Sequence, residues 1–145
     1  VMPSAGVDFR AIRSHRNSQH AAFEELVRQL LVVDPPAGCT RLEHRGPGAD
    51  GGVEVLAHRG DGAQAGWQTK YFVDDFGADQ IRQIDNSLRS ALATYPKLTE
   101  YVVALPRNLS GAAEGKALSQ RQRWERWVAG ALASATAAGR PLAIE

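Results

Sequence analysis

Apolar residues recur every three or four positions between Gln19 and Val33, where Phe23, Leu26, Val27, Leu30 and Leu31 form one stripe of a helix. Asp34-Pro35-Pro36 stops it, because proline lacks the backbone donor and restricts the residue before it. The period then shortens to two. Arg41–Arg45 is a weak strand. Gly52–His58 alternates, with Val53, Val55 and Ala57 on one face. Gly66–Val73 alternates too, setting Trp67, Thr69, Tyr71 and Val73 against Gln68, Lys70 and Phe72. The glycine-rich stretch Arg59–Gly66 reads as the hairpin connection between these strands.

A second helix is predicted over Gly77–Thr94, with Ile81, Ile84, Leu88, Ala91 and Leu92 buried and Pro96 ending it. Glu100–Leu105 is an apolar strand closed by Pro106, and Asn108–Gly115 is a loop. A third helix covers Ala117–Ala138 with Trp124, Trp127, Val128 and Leu132 on one side, and Pro141–Ile144 is a last short strand. The order α-β-β-β-α-β-α-β predicts an α/β fold with a central mixed sheet flanked by helices. Residues 1–18 lack a period and are expected to be a poorly specified lead-in, with 19–145 as one domain.

Composition narrows the function classes. The 145 residues are 43% hydrophobic and 23% charged with a net charge of +1, which excludes wholesale disorder and a polycationic nucleic-acid binder. Any nucleic-acid contact must come from a local basic patch. No apolar run approaches the ~20 residues of a membrane span, and the start does not read as a signal peptide. The single cysteine, Cys39, excludes an internal disulfide and a multi-cysteine zinc site, so a cytoplasmic protein is expected. Only three of the 17 basic residues are lysines (Lys70, Lys97 and Lys116), which draws attention to each.

Two nucleotide-binding patterns fail on context. Gly46–Gly51 fits G-x-G-x-x-G, but a strand follows where the motif needs a helix, and Asp50 would repel phosphates. Gly111–Lys116 is one residue short of a P-loop and is followed by Ala117 instead of a hydroxyl. The four histidines are scattered and form no zinc motif.

One constellation remains. Asp50 stands at the entry to a strand, followed by Gly51-Gly52-Val53-Glu54, and Gln68-Thr69-Lys70 lies in the next strand. Gln68 and Lys70 share a strand face, and hairpin pairing would bring Asp50 to Gln68. On a wheel of about 100° per residue, Glu24 borders the buried stripe beside Leu31 while Glu25 faces water. A carboxylate at that border needs a partner, so Glu24 is expected to look toward the cluster. Oxygen ligands plus a lysine suit phosphodiester hydrolysis. Asp50, the Gln68 side-chain oxygen and the Thr69 carbonyl would hold Mg2+, with Mn2+ as a substitute, and Lys70 would position or deprotonate water and stabilise developing charge. The bland reading of each part is a turn aspartate and a solvated strand face.

Phe23-Glu24-Glu25-Leu26, Gly48-Ala49-Asp50-Gly51-Gly52-Val53-Glu54 and Trp67-Gln68-Thr69-Lys70-Tyr71-Phe72 together resemble the Mrr-like branch of the PD-(D/E)xK restriction-endonuclease superfamily, in which Q-x-K replaces the usual (D/E)-x-K. The segments Gln80–Leu88, Tyr95–Leu98 and Tyr101–Leu109 extend the resemblance to the N-terminal nuclease domains of bacterial anti-phage effectors, of the CBASS and STAND NTPase kinds. It covers about residues 20–110. The resemblance implies a restriction-endonuclase-like αβββαβ core, catalytic Asp50, Gln68 and Lys70, and Glu24 as the helix acid. It also implies a bacterial DNA endonuclease acting as a homo-oligomer, excised from a longer protein with attached sensor or NTPase regions. Gln68 departs from the broader superfamily, since a neutral amide binds magnesium more weakly than a carboxylate. Glu54 is either a further metal-site acid or a strand residue paired with Arg41 or Arg59.

For double-stranded DNA, Arg45, Arg82 and Arg89 are the phosphate contacts expected, with Arg41, Arg59 and Lys97 as further candidates. Arg82 and Arg89 can equally pair with Asp85 along their helix. Trp124 and Trp127 fit a core or an interface better than a base-stacking platform, and the Arg121–Arg126 cluster beside them can dock a partner domain. The competing readings are a catalytically silent nuclease fold for binding or assembly, a free-standing Mrr-type restriction enzyme, and RNA cleavage by the same site. The intact Asp50, Gln68 and Lys70 argue against silence, and no winged-helix DNA reader supports the free-standing enzyme.

Overall fold

The computed structural model describes residues 6–45, 51–112, 115 and 117–145. Helix α1 (Gln19–Val33) begins where the Ser18 side chain accepts from the Ala21 N–H, and it ends at Asp34 before the two prolines. Strands β1 (Cys39–His44), β2 (Val55–Arg59) and β3 (Gln64–Thr69) follow, then α2 (Ala78–Thr94), β4 (Leu98–Ala104), α3 (Gln120–Ala137) and β5 (Ala143–Ile144). The described residues form a five-stranded mixed sheet in the order β1-β2-β3-β4-β5. β1, β2 and β3 are antiparallel neighbours, and β3, β4 and β5 are parallel. The architecture is α/β, as the element order predicts.

Both sheet faces are covered. Val55, Ala57, Ala65 and Trp67 make one small core that Leu31 of α1 packs against. Leu56, Leu98, Tyr101 and Val103 point the other way and join Ile84, Leu88 and Ala91 of α2, with Trp124 and Trp127 of α3 packed alongside. The two tryptophans contact each other at 5.2 Å between ring centroids, and Trp127 Nε1 donates to Asp85 Oδ1 at 3.0 Å. They pack, partly buried, against the core.

The differences from the sequence reading have local causes. β2 starts at Val55 rather than Gly52, because Gly51 and Gly52 have φ of +64° and +76° and turn the chain. Val53 consequently sits in the α2-side core, opposite Val55 and Ala57 rather than with them. β3 ends at Thr69: the Phe72 N–H bonds back to the Lys70 carbonyl, and the Tyr71 hydroxyl donates to the Phe9 carbonyl. That contact, with Phe9 edge-on to Phe23, ties down part of the lead-in. Leu30, expected in the buried stripe, is 58% exposed. Glu25, expected to face water, is only partly exposed and is bound by Arg28 and Gln29. No described helix is long and apolar enough to cross a membrane.

Candidate active site

The chain enters β2 under tight constraint. The Gly52 carbonyl accepts from the buried Tyr101 hydroxyl at 2.8 Å, and a Cβ on Gly52 would lie 1.9 Å from the Ser87 carbonyl oxygen of α2. Only glycine passes there. Two residues on, Glu54 prolongs the ladder beyond the end of β2: its N–H donates to the Trp67 carbonyl, and its carbonyl accepts from the Arg45 N–H, both at 2.8 Å. Val55 pairs with Trp67, and just past that pair the Glu54 side chain reaches Gln68.

The side chains of that pair are joined. Gln68 Nε2 donates to Glu54 Oε1 at 2.8 Å, and more weakly to the Thr69 carbonyl at 3.3 Å. The other carboxylate oxygen, Oε2, accepts from the Thr69 N–H at 3.0 Å and from the Thr69 hydroxyl. Glu54, Gln68 and Thr69 are 8%, 5% and 2% exposed. A carboxylate this buried is tolerable because it collects several donors. The amide orientation follows: the Gln68 nitrogen must face the carboxylate, which turns Oε1 away. That oxygen is buried with no hydrogen-bond partner among the described residues.

Lys70 is half-buried one step past β3, where its N–H donates to the Ala104 carbonyl at 3.0 Å and prolongs the parallel pairing with β4. Strand alternation assigns it the face of Gln68. Glu54, Gln68 and Thr69 are thus one contiguous group at the open ends of β2 and β3, with Lys70 next in sequence. Asp50, the acid expected to lead the site, lies outside the described residues. Glu24 contacts His20 at 3.2 Å on its own helix. Glu54 pairs with neither expected arginine. Arg59 is bound to Glu100, and Arg41 contacts His58 at 3.1 Å.

The three arginines expected at DNA all carry local partners. Arg45 pairs with Glu43 at 2.7 Å and lies over the Tyr95 ring, and the Glu43 carboxylate raises its pKa above the usual value. Arg82 pairs with Asp79, not Asp85, at 2.8 Å, and Arg89 pairs with Asp85 at 2.8 Å. Arg82 and Arg89 remain largely exposed on α2, so their charge is available to a polyanion at little loss.

Glu54 is the functional candidate that spacing undervalued. A hairpin centred on Asp61 brings residue 54 to residue 68, and the strand registers carry that signal. No group of three or more His, Cys, Asp or Glu among the described residues could hold a metal ion, so a cation site drawn from those residues alone would use amide and carbonyl oxygens as well. No protein-family model matches the chain, and neither a curated protein nor a solved structure matches it.

Proposed function

We propose that this chain is a metal-dependent endonuclease that hydrolyses phosphodiester bonds of double-stranded DNA, with Glu54, Gln68 and Lys70 at its centre. The observation that carries the reading is the buried, unpartnered Gln68 Oε1 beside the Glu54 carboxylate. A buried acceptor without a donor is unfavourable by about 1–3 kcal/mol, and a cation relieves it. Gln68 Oε1 is a hard oxygen donor of the kind Mg2+ takes together with water and substrate phosphate, while Glu54 and the Thr69 carbonyl, both facing the Gln68 nitrogen, orient that amide. Asp50 stays in the proposal as a second carboxylate. The antiparallel β1-β2-β3 unit, the parallel β4 and helices on both faces are compatible with the restriction-endonuclease-like core that the resemblance implies.

When bound, the ion supplies positive charge at the scissile phosphate and lowers the pKa of the attacking water. The chain's own residues do the rest. Gln68 and Thr69 hold the two carboxylate oxygens in fixed orientations, so Glu54 does not reorganise during the reaction. Lys70 presents its ammonium group on the same face, where it orients the water and stabilises charge developing on the phosphate. Arg45, Arg82 and Arg89 contribute phosphate contacts without sequence information. The setting that fits the resemblance is the cutting module of a bacterial anti-phage effector.

A second reading has its own observation. Both Glu54 oxygens already have hydrogen bonds, which suits a structural brace in a catalytically silent fold. Supercoiled plasmid incubated with concentrated protein and Mg2+ separates the two, with Lys70→Ala, Glu54→Ala and EDTA controls run beside it. The nuclease reading expects nicking that disappears in all three, and parallel single-stranded DNA and RNA substrates that are cut more slowly. Cleavage that survives Lys70→Ala and EDTA sinks the site. No cleavage, together with no Mg2+-dependent rise in melting temperature, favours the brace.

A further inference from the structure

Two surface features outside the strand-end site complement each other. The first is the end of α1. Leu31 turns inward to the sheet, but Leu30 and Val32 are each 58% exposed and Val33 is 82% exposed. The last turn has no basic residue, and Asp34 follows it. The terminal carbonyls and Asp34 make this apolar knob negative.

The second is a groove of about 760 Å³ between α2 and α3, on the other side of the sheet. Leu88, Leu92, Trp127, Ala131 and Ala135 supply its apolar surface, and Gly130 and Ser134 keep α3 low. Arg89, Arg126 and Arg140 stand around it. Asp85 is already engaged by Arg89 and Trp127, and Arg140 by the Leu92 and Tyr95 carbonyls at 2.8 Å. Arg126 is exposed and forms no ion pair among the described residues. The groove therefore accepts an apolar body carrying negative charge.

We propose that the α2–α3 groove receives the last turn of α1 from a second copy of this chain, with Leu30, Val32 and Val33 in the groove and Asp34 toward Arg126. The chain itself supplies both halves of the contact, matched in polarity and in charge. Knob and groove lie on opposite sheet faces, so a single chain cannot satisfy its own groove. The contact is heterologous: each added copy offers a fresh knob or groove, and assembly grows instead of closing as a two-fold dimer.

Sedimentation of the 145-residue chain, without DNA or magnesium, tests this independently of the nuclease reading. The mass average is expected to climb with concentration from 15.7 kDa past that of a dimer. Val33→Asp disables the knob and Arg126→Glu the groove. Both positions are exposed, and circular dichroism checks that each variant folds. Each variant alone should remain monomeric, while their equimolar mixture should stop at one-to-one pairs. Asp34→Arg added to Arg126→Glu should restore growth. A wild type that stays monomeric to about 1 mM overturns the proposal, leaving another ligand as the groove's occupant. Self-association that either single variant retains at wild-type strength, or a mixture that forms no pairs, overturns it as well.

Discussion

Glu54 and Gln68 face each other across the open end of the β2–β3 hairpin, and the Gln68 amide donates to the Glu54 carboxylate at 2.8 Å. This contact fixes the amide, and so the direction of its unpartnered oxygen. Structure and chemistry meet in one pair: the arrangement that makes a buried carboxylate tolerable leaves one acceptor unsatisfied.

Replacing Gln68 with glutamate probes that acceptor. Gln68→Glu sets a second carboxylate against Glu54, and two like charges at hydrogen-bond range cannot both ionise cheaply. In EDTA at pH 8 the variant should melt several degrees below wild type, with the deficit shrinking as pH falls and one carboxyl takes a proton. Millimolar Mg2+ should reverse most of the loss, because ligand binding to the native state alone raises stability. Gln68→Leu should show no magnesium response. Thermal melts with and without the ion decide it, and a Gln68→Glu protein indifferent to Mg2+ argues against a cation site.

Glu54 should matter to stability whatever the catalytic outcome. Truncation to alanine strands three buried donors: the Gln68 amide, the Thr69 N–H and the Thr69 hydroxyl. Leaving them without an acceptor should lower stability by about 2–4 kcal/mol, or roughly 10 °C for a domain of this size. Glu54→Gln keeps the shape and one acceptor, so about half the loss is expected. Urea titration measures both. An alanine variant within about 1 kcal/mol of wild type would show that water replaces the carboxylate.

Much of this architecture was legible because local signals agreed. The Ser18 cap and the Pro35-Pro36 stop give α1 the bounds Gln19–Val33 that its apolar period predicts. Glycine and proline frame α2 within one residue of its expected start. What sequence hid was three-dimensional. The two left-handed glycines throw Val53 to the far side of the sheet. The loop Gly60–Ala63 sets the register that pairs residue 54 with 68, whereas spacing alone matched Gln68 with Asp50. Leu30 fits the helix stripe, but only Phe23 and Val27 of that stripe are buried while Leu31 packs on the sheet.

Left-handed glycines supply a contrast with an internal control. Gly62, in the β2–β3 loop, has φ of +87° and open space where a Cβ would go. Gly62→Ala should cost about 1–2 kcal/mol, the left-handed backbone penalty alone. Gly52 adds the 1.9 Å clash with the Ser87 carbonyl, part of the α2 backbone, so Gly52→Ala should cost at least about 3 kcal/mol or fail to fold. Chemical denaturation of the pair measures the difference, and equal losses would show that α2 moves aside.

Acid titration should single out Glu25. Hydrogen bonds from Arg28 and then Gln29 lower its pKa from 4.5 to about 2. The folded value lies below the unfolded one, so ionised Glu25 favours the native state. That contribution is fully present above about pH 4.5 and disappears as pH falls through about 2. The pair is partly solvated, so its effect on stability is small, but its titration is distinct. Carboxyl chemical shifts should show Glu25 still ionised at pH 3, after ordinary glutamates have protonated. Arg28→Ala removes the largest cause and should return the midpoint toward 4.5. A wild-type midpoint near 4.5 would mean that the Arg28 contact is not held in solution.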